Sequence, residues 1–492
     1  MVRLIAAAAL ASIALARDLS VYDDGHFNVL DHVQDYESAR EDAPVVIEEQ
    51  WFESQLLDHT DAANKATWKQ RYFFSDQFYG GAGSPVFLYV NGENVAANTT
   101  VVSTGLFLNE LAKKHKALVV SLEHRYYGKS QPRPDFTTAN LKYLRAEQAL
   151  ADIATFQDYF VAARNLTKAS KWVAFGGSYP GMLAAWVKAV YPTRFAGSVA
   201  SSAPIQAKVD FFEYADVVSE GLRYFGKDAC VDTVRSALEE LHRLLSSPSA
   251  ADAATLKALF NPCGAFKNDD DRFVLERSVY SKFQNIAQSN DNAKFKLADV
   301  CLAFAELGLT PVQKLSKLFN KTVANGVCAD NDYTGYFDDL KNATEISTKS
   351  ISRQWSYQTC AEFGFGQASS RAKGVFGALK YVTVERNTLN KCAEAYGITT
   401  VAENVAATNQ KYGGWSIDVA NVVFPTGTID PWAALAPSNA TGVVNPTSEV
   451  VDIEGTSHCR DMYSRKPTDS GHLVWAHQRI EAAVDGFLRN KC

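Results

Sequence analysis

The stretch KWVAFGGSYPGMLAAWVKAV, residues 171–190, constrains the chain more than any other. WVAF is a short run that is apolar on both faces, as a strand covered by helices on each side must be. GGSYPG is a tight turn, and MLAAWVKAV continues as a helix. A serine caught between a strand end and a helix start is lifted out of the sheet, and the N–H of the next residue can donate to a developing oxyanion. Ser178 is therefore a candidate nucleophile and Tyr179 a candidate oxyanion donor. The G-x-S-x-G pattern has glycine where this chain has Pro180. Proline suits the first turn of a helix, and no catalytic N–H is lost at that position. A following proline does push Tyr179 toward extended backbone angles. Alone, the stretch fits a glycine-rich turn without chemistry equally well.

Further strands are expected at PVFLYV (85–90), ALVVSL (117–122), WVAF (172–175), GSVA (197–200), NVVF (421–424) and EVVDI (449–453). Helical pattern lies between them. In the segment LKYLRAEQALADIATFQDYFVAARN, apolar residues recur at Leu150, Ile153, Phe156 and Phe160. The last helix, 472–489, repeats the pattern with Val474, Ile480, Val484 and Leu488. The alternation predicts an α/β fold: a mostly parallel sheet with helices on both faces. Between residues 206 and 350 the strand-like runs vanish and helical stretches such as 231–245 and 295–308 take over. This predicts a helical insertion at 206–350, between a first α/β part at 17–205 and a second at 351–492.

A serine hydroxyl needs a base, and the base needs an acid to fix its tautomer. Among nine histidines, His458 alone follows a late strand in a loop of small residues, EVVDIEGTSHCRDMY. Asp430, in FPTGTIDPW, follows the preceding strand on a loop at the same sheet edge. Asp418 and Asp452 are worse placed, and Asp461 reads as a solvated loop carboxylate. The chain order Ser178, Asp430, His458 is that of α/β-hydrolases.

The chain begins MVRLIAAAALASIALARDLS, with a basic start, a short apolar run and Ala14-Leu15-Ala16 as a small-x-small cleavage pattern. A cleaved signal peptide is expected at residues 1–16, with no membrane span, since the apolar run falls short of roughly 20 residues. Eight cysteines without a C-x-x-C pair suit disulfides in an exported protein, not zinc or redox motifs. N-x-S/T sequons start at Asn98, Asn165, Asn320, Asn342 and Asn439, expected glycosylation sites. A net charge of −6 and no Lys/Arg run argue against nucleic acid as the main partner.

The segments GGSYPGMLAAW, EHRYYGKSQP (123–132), NLKYLRAEQALAD (140–152), WSYQTCAEFGFGQ (355–367), FPTGTIDPW and EGTSHCRDMY together resemble one group of serine peptidases. It is the group of lysosomal Pro-Xaa carboxypeptidase, dipeptidyl peptidase II and the thymus-specific serine protease. The resemblance runs from about Trp51 to the end. It implies an α/β-hydrolase domain with a helical cap and exopeptidase cleavage beside proline in peptide substrates. Secretion or a lysosomal or vacuolar destination follows, without metal or cofactor. It assigns the nucleophile, acid and base to Ser178, Asp430 and His458. It places Met182 and Trp432 in an apolar primary pocket and Cys360 with Cys392 in a disulfide. Asn91-Gly92-Glu93-Asn94 stands where the group has a G-N-E-G or G-G-E-G turn near the oxyanion site, and asparagine tolerates left-handed angles well enough to keep such a turn. Glu93 is a candidate for holding a substrate α-amine. EHRYYG reads as a charged cluster bracing the sheet edge. Two alternatives stay open: a carboxylester hydrolase of the same fold, or an inactive homologue used for binding. Cleavage mode and oligomeric state, a homodimer among the options, are not fixed by sequence.

Overall fold

The strands are β1 (Gln50–Leu56), β2 (Thr67–Ser75), β3 (Val86–Val90), β4 (Leu118–Leu122), β5 (Trp172–Gly177), β6 (Gly197–Ser201), β7 (Lys208–Asp210), β8 (Gly364–Gly366), β9 (Val422–Gly427) and β10 (Glu449–Ile453). This is a computed structural model that describes residues 47–320 and 327–489, with Val29, Asp31 and Val33. The expected signal peptide at 1–16 and Cys492 lie outside the described residues.

Eight strands form one sheet in the order β1-β2-β4-β3-β5-β6-β9-β10. β1 with β2 and β2 with β4 are antiparallel, and every pairing from β4 to β10 is parallel. All six expected strands are present. β3 to β6 and β9 are buried at every residue, which is why their sequences are continuous apolar runs. With a strand–serine–helix turn at the central β5, this is the α/β-hydrolase fold. The antiparallel edge was not legible: QWFESQL and TWKQRYFFS are too polar to read as core strands. Their aromatic residues fix them nonetheless, with Phe52 stacked on Tyr159 at 4.7 Å and Tyr72 against Phe156 at 4.9 Å.

The helix Ala146–Ala163 carries the expected stripe, with Leu150, Ile153, Phe156 and Phe160 buried. Its first N–H, at Ala146, is capped by the Glu362 carboxylate at 2.9 and 3.1 Å. The last helix, Gly471–Arg489, is turned from the expected face. Leu473, Ala476, His477, Ile480, Val484 and Phe487 are buried, while Val474 is exposed and Leu488 half-buried. Shifting the stripe by one residue at each end lets Phe487 pack over Gly197, where a side chain on residue 197 would collide with its ring.

Two compact units result. Among the described residues, one comprises those in 27–207, 343–363 and 400–492, and the other those in 208–342 and 364–399. The insertion therefore differs in extent from 206–350. Residues 343–350 go with the sheet, where the Phe136 N–H donates to the Thr344 carbonyl at 2.7 Å. Residues 364–399 join the helical unit. There β7 pairs with β8, Arg277 donates to Asn387 at 2.8 Å, and Gln284 donates to Gln367 at 2.5 Å. The helical unit contains Glu213–Ser246, kinked at Lys227, and Asp269–Gln288. Disulfides Cys230–Cys301 and Cys263–Cys328 staple it. Cys360 and Cys392 are also disulfide-bonded, and Cys459 is a buried free thiol. No helix among the described residues is long and apolar enough to cross a membrane.

Candidate active site

Ser178 sits in the turn between β5 and the helix Tyr179–Val190, at φ 63° and ψ −133°. A non-glycine residue in this region stores strain of about 1–3 kcal/mol. The strain is held by hydrogen bonds: the Ser178 N–H donates to the Ser201 carbonyl at 2.9 Å, and its carbonyl accepts from the Met182 N–H at 3.1 Å. The expected extension of Tyr179 before Pro180 is not found. Tyr179 opens the helix, and the distortion falls one residue earlier, on Ser178. As the first helical residue, Tyr179 has an N–H with no partner inside the helix.

His458 follows β10 and Asp430 follows β9, and the structure brings the two side chains together. His458 Nδ1 lies 2.9 Å from both Asp430 oxygens, and both side chains are fully buried. Asp430 also accepts the Trp432 N–H at 2.9 Å and caps the short helix Pro431–Leu435. That bond seats the Trp432 ring 6.3 Å from the imidazole. Burial acts against a charged imidazole here. The Asp430 carboxylate outweighs it and, with Cys459, holds the His458 pKa well above the usual histidine range.

The serine turn and the histidine loop both hang on the end of β6. The Ser201 carbonyl takes the Ser178 N–H, while Ser201 Oγ donates to Asp461 at 2.6 Å. Ser202 Oγ accepts the Cys459 N–H at 2.9 Å, and the Ser202 N–H reaches Pro425 in β9 at 2.7 Å. The turn carrying Ser178 thus touches the histidine loop directly: a Cβ on Gly177 would fall 2.2 Å from Met462 Sδ and 2.9 Å from Cys459 Sγ. Asp461 corrects the reading of a solvated carboxylate. It is buried, and burial raises its pKa to about 7. Its carbonyl accepts from His477 Nε2 at 3.0 Å.

The Asn91–Asn94 turn after β3 packs against the same place. A Cβ on Gly92 would lie 2.5 and 2.7 Å from the Pro180 ring and 3.0 Å from Tyr179 Cδ1. Pro180 is tolerated because residue 92 has no side chain. Neither Asn91 nor Asn94 adopts a positive φ. The Asn91 amide instead donates to Ser121 Oγ and the Leu122 carbonyl, both at 2.8 Å. Glu93 is buried, and its charge helps raise the Tyr179 and Tyr89 pKa values after burial itself. Met182 is fully buried one turn beyond Ser178.

EHRYYG braces the sheet edge. Glu123 pairs with Arg71 and accepts Ser130 Oγ at 2.7 Å, while Arg125 grips Asp152 with two bonds of 2.6 Å. The five sequon asparagines, Asn98, Asn165, Asn320, Asn342 and Asn439, are all exposed. Ser201 and Ser202, which sequence reasoning missed, are small and neutral, and no local pattern marks them.

The family profile of serine carboxypeptidase S28 matches residues 55–480. The Caenorhabditis elegans protein K12H4.7 is 34% identical over 453 residues, covering 88% of this chain and 87% of that one. The thymus-specific serine protease of Mus musculus is 32% identical over 462 residues, covering 91% and 89%. The lysosomal Pro-X carboxypeptidase of Mus musculus is 26% identical over 439 residues, covering 85% of this chain and 85% of that one.

Proposed function

The chain belongs to the serine carboxypeptidase S28 family, a family of serine peptidases, and on that premise we propose an exported exopeptidase that cleaves peptides beside proline through Ser178, Asp430 and His458. The observation that carries the reading is the fully buried contact of His458 Nδ1 with both oxygens of Asp430, at 2.9 Å. A carboxylate there fixes the proton on Nδ1 and leaves Nε2 to take the serine proton.

In this mechanism Ser178 Oγ attacks the scissile carbonyl carbon as His458 Nε2 accepts its proton. The oxyanion is met by the Tyr179 N–H, fixed at the helix start. His458 then protonates the departing amine, leaving an acyl group on Ser178. A water molecule, deprotonated by the same imidazole, releases the acid product and restores the serine. Asp430 keeps the imidazole oriented and stabilises its charged form throughout.

Met182 and Trp432 supply an apolar wall suited to a pyrrolidine ring, which offers little to hydrogen-bond. Glu93 is assigned the substrate α-amine, which favours release of an N-terminal dipeptide. The likeness to a lysosomal Pro-X carboxypeptidase favours release of the C-terminal residue. Export through residues 1–16 and glycosylation at the exposed sequons belong to the same reading.

The test is hydrolysis of three proline-containing peptides: one with free ends, one N-blocked and one C-blocked. Products are identified by mass spectrometry, with Ser178→Ala as control. Loss of cleavage on blocking one end identifies that end as the recognised one. Cleavage of simple esters but of no proline peptide would replace this reading with an esterase.

A further inference from the structure

The segments EHRYYG, WSYQTC and GGSYPG converge on one phenol, that of Tyr179. Its hydroxyl lies 3.0 Å from His124 Nε2 and 2.9 Å from Gln358 Nε2. His124 Nδ1 lies 2.8 Å from the Arg125 carbonyl, and Gln358 Oε1 lies 2.6 Å from the Tyr127 hydroxyl. All four side chains are buried.

The direction of every bond in this chain is determined. A carbonyl only accepts, so His124 Nδ1 carries a hydrogen. Burial lowers the His124 pKa to about 4, so the ring is neutral above that pH and Nε2 accepts. The Tyr179 hydroxyl therefore donates to His124 and accepts from the Gln358 amide N–H. The Gln358 oxygen, facing the other way, accepts from Tyr127. Reversing the Gln358 amide would set the single Tyr179 hydrogen between two acceptors, His124 Nε2 and the Gln358 oxygen, and leave one of them unserved. Around this chain, Trp355 and Phe363 hold the Tyr179 ring at centroid distances of 5.6 and 5.5 Å, and Tyr127 flanks His124 at 5.4 Å.

We infer that His124, Gln358 and Tyr127 are positioning residues for catalysis: they lock the Tyr179 side chain and so hold its backbone N–H in the direction of the oxyanion. The inference rests on the reading of Tyr179 N–H as the oxyanion donor. A donor helps only if it is already aimed where charge develops, and a small rotation of this peptide forfeits that advantage. Anchoring the phenol, at the far end of the same residue, resists such a rotation. Among the described contacts of Tyr179, those to His124 and Gln358 are its side-chain hydrogen bonds. The role differs from that of the neighbouring Glu123 and Arg125, whose charges are engaged with the sheet edge.

The test uses the full chain and four variants: Tyr179→Phe, His124→Leu, the double variant, and His124→Gln. Tyr179→Phe and His124→Leu should each lower kcat about tenfold with KM changed less than about twofold. The double variant should be no worse than either single one, because both cut the same bond. His124→Gln should recover most of the loss, since a carboxamide oxygen can accept from the phenol. Affinity for a peptide aldehyde, whose serine adduct carries the oxyanion, should fall in step with kcat/KM. A Tyr179→Phe enzyme with wild-type kcat overturns the inference, as does additivity of the two single variants. If His124→Leu does not fold, Tyr179→Phe and His124→Gln decide the matter alone. Ser178→Ala separates the two levels: activity persisting in it removes the triad reading, whereas an inactive Ser178→Ala beside a fully active Tyr179→Phe removes only this inference.

Discussion

Gly92→Ala probes the packing that lets Pro180 stand in the Ser178 turn. The added Cβ would fall 2.5 Å from Pro180 Cγ and 2.7 Å from Cδ, against ordinary contacts that begin at 3.4 Å. A proline ring cannot rotate away, so the Asn91–Asn94 turn and the Ser178 turn must separate by about 1 Å. Overpacking of this size costs about 1–3 kcal/mol. A displacement of about 1 Å at a catalytic turn costs up to about 100-fold in rate. Thermal melting and kcat/KM on a proline peptide measure the two effects. Pro180→Gly in the Gly92→Ala background removes the two shortest contacts and should restore most of both losses, leaving only the milder 3.0 Å approach to Tyr179. Gly92→Ala with wild-type melting and rate would refute the reasoning. A loss that Pro180→Gly fails to relieve would show that the proline is not the obstructing group.

Other outcomes follow from the same structure. Asp430→Asn should lower kcat/KM by about 10⁴-fold, since the amide favours the wrong imidazole tautomer. What activity is left should have its acid limb at lower pH, because burial of His458 then acts without the opposing carboxylate. Glu362 has its pKa raised from 4.5 to about 7 by burial, so the folded state binds its proton more tightly than the unfolded one. Its contribution is fully present below pH 4.5 and is lost as pH rises through about 7. Glu362→Gln should therefore reduce the fall in unfolding free energy between those pH values by about 3 kcal/mol, measured by urea titration at each pH. Asp152→Ala leaves Arg125 buried without its partner and should cost about 3–5 kcal/mol by the same assay.

Much of this was legible because it depends on local pattern. Fully buried parallel strands must be continuous apolar runs, and five of the six expected strands are of that kind, whereas β10 is only partly buried and is marked by its β-branched residues. The residues of the proposed triad, Ser178, Asp430 and His458, are picked out by residue type at strand ends. What escaped depends on distant contacts. β1 and β2 are polar along much of their length and owe their place to aromatic residues of a helix about a hundred residues away. The switch of 364–399 to the helical unit turns on the three-residue pairing of β7 with β8, too short to leave a pattern. Asp461 looked solvated because a carboxylate in a loop usually is, and only Ser201, remote in sequence, explains its burial. His124 and Gln358 carry no local mark of their convergence on Tyr179.

The central claim is tested most directly by covalent labelling. A fluorophosphonate reacts with a serine only where a base and an oxyanion site activate it. Incubated with the full chain and followed by peptide mass spectrometry, it should add to Ser178 in one-to-one ratio, with parallel loss of peptidase activity. Labelling should fall by orders of magnitude in His458→Ala. Modification of a different residue accompanied by the loss of activity, with Ser178 unlabelled, would contradict the account.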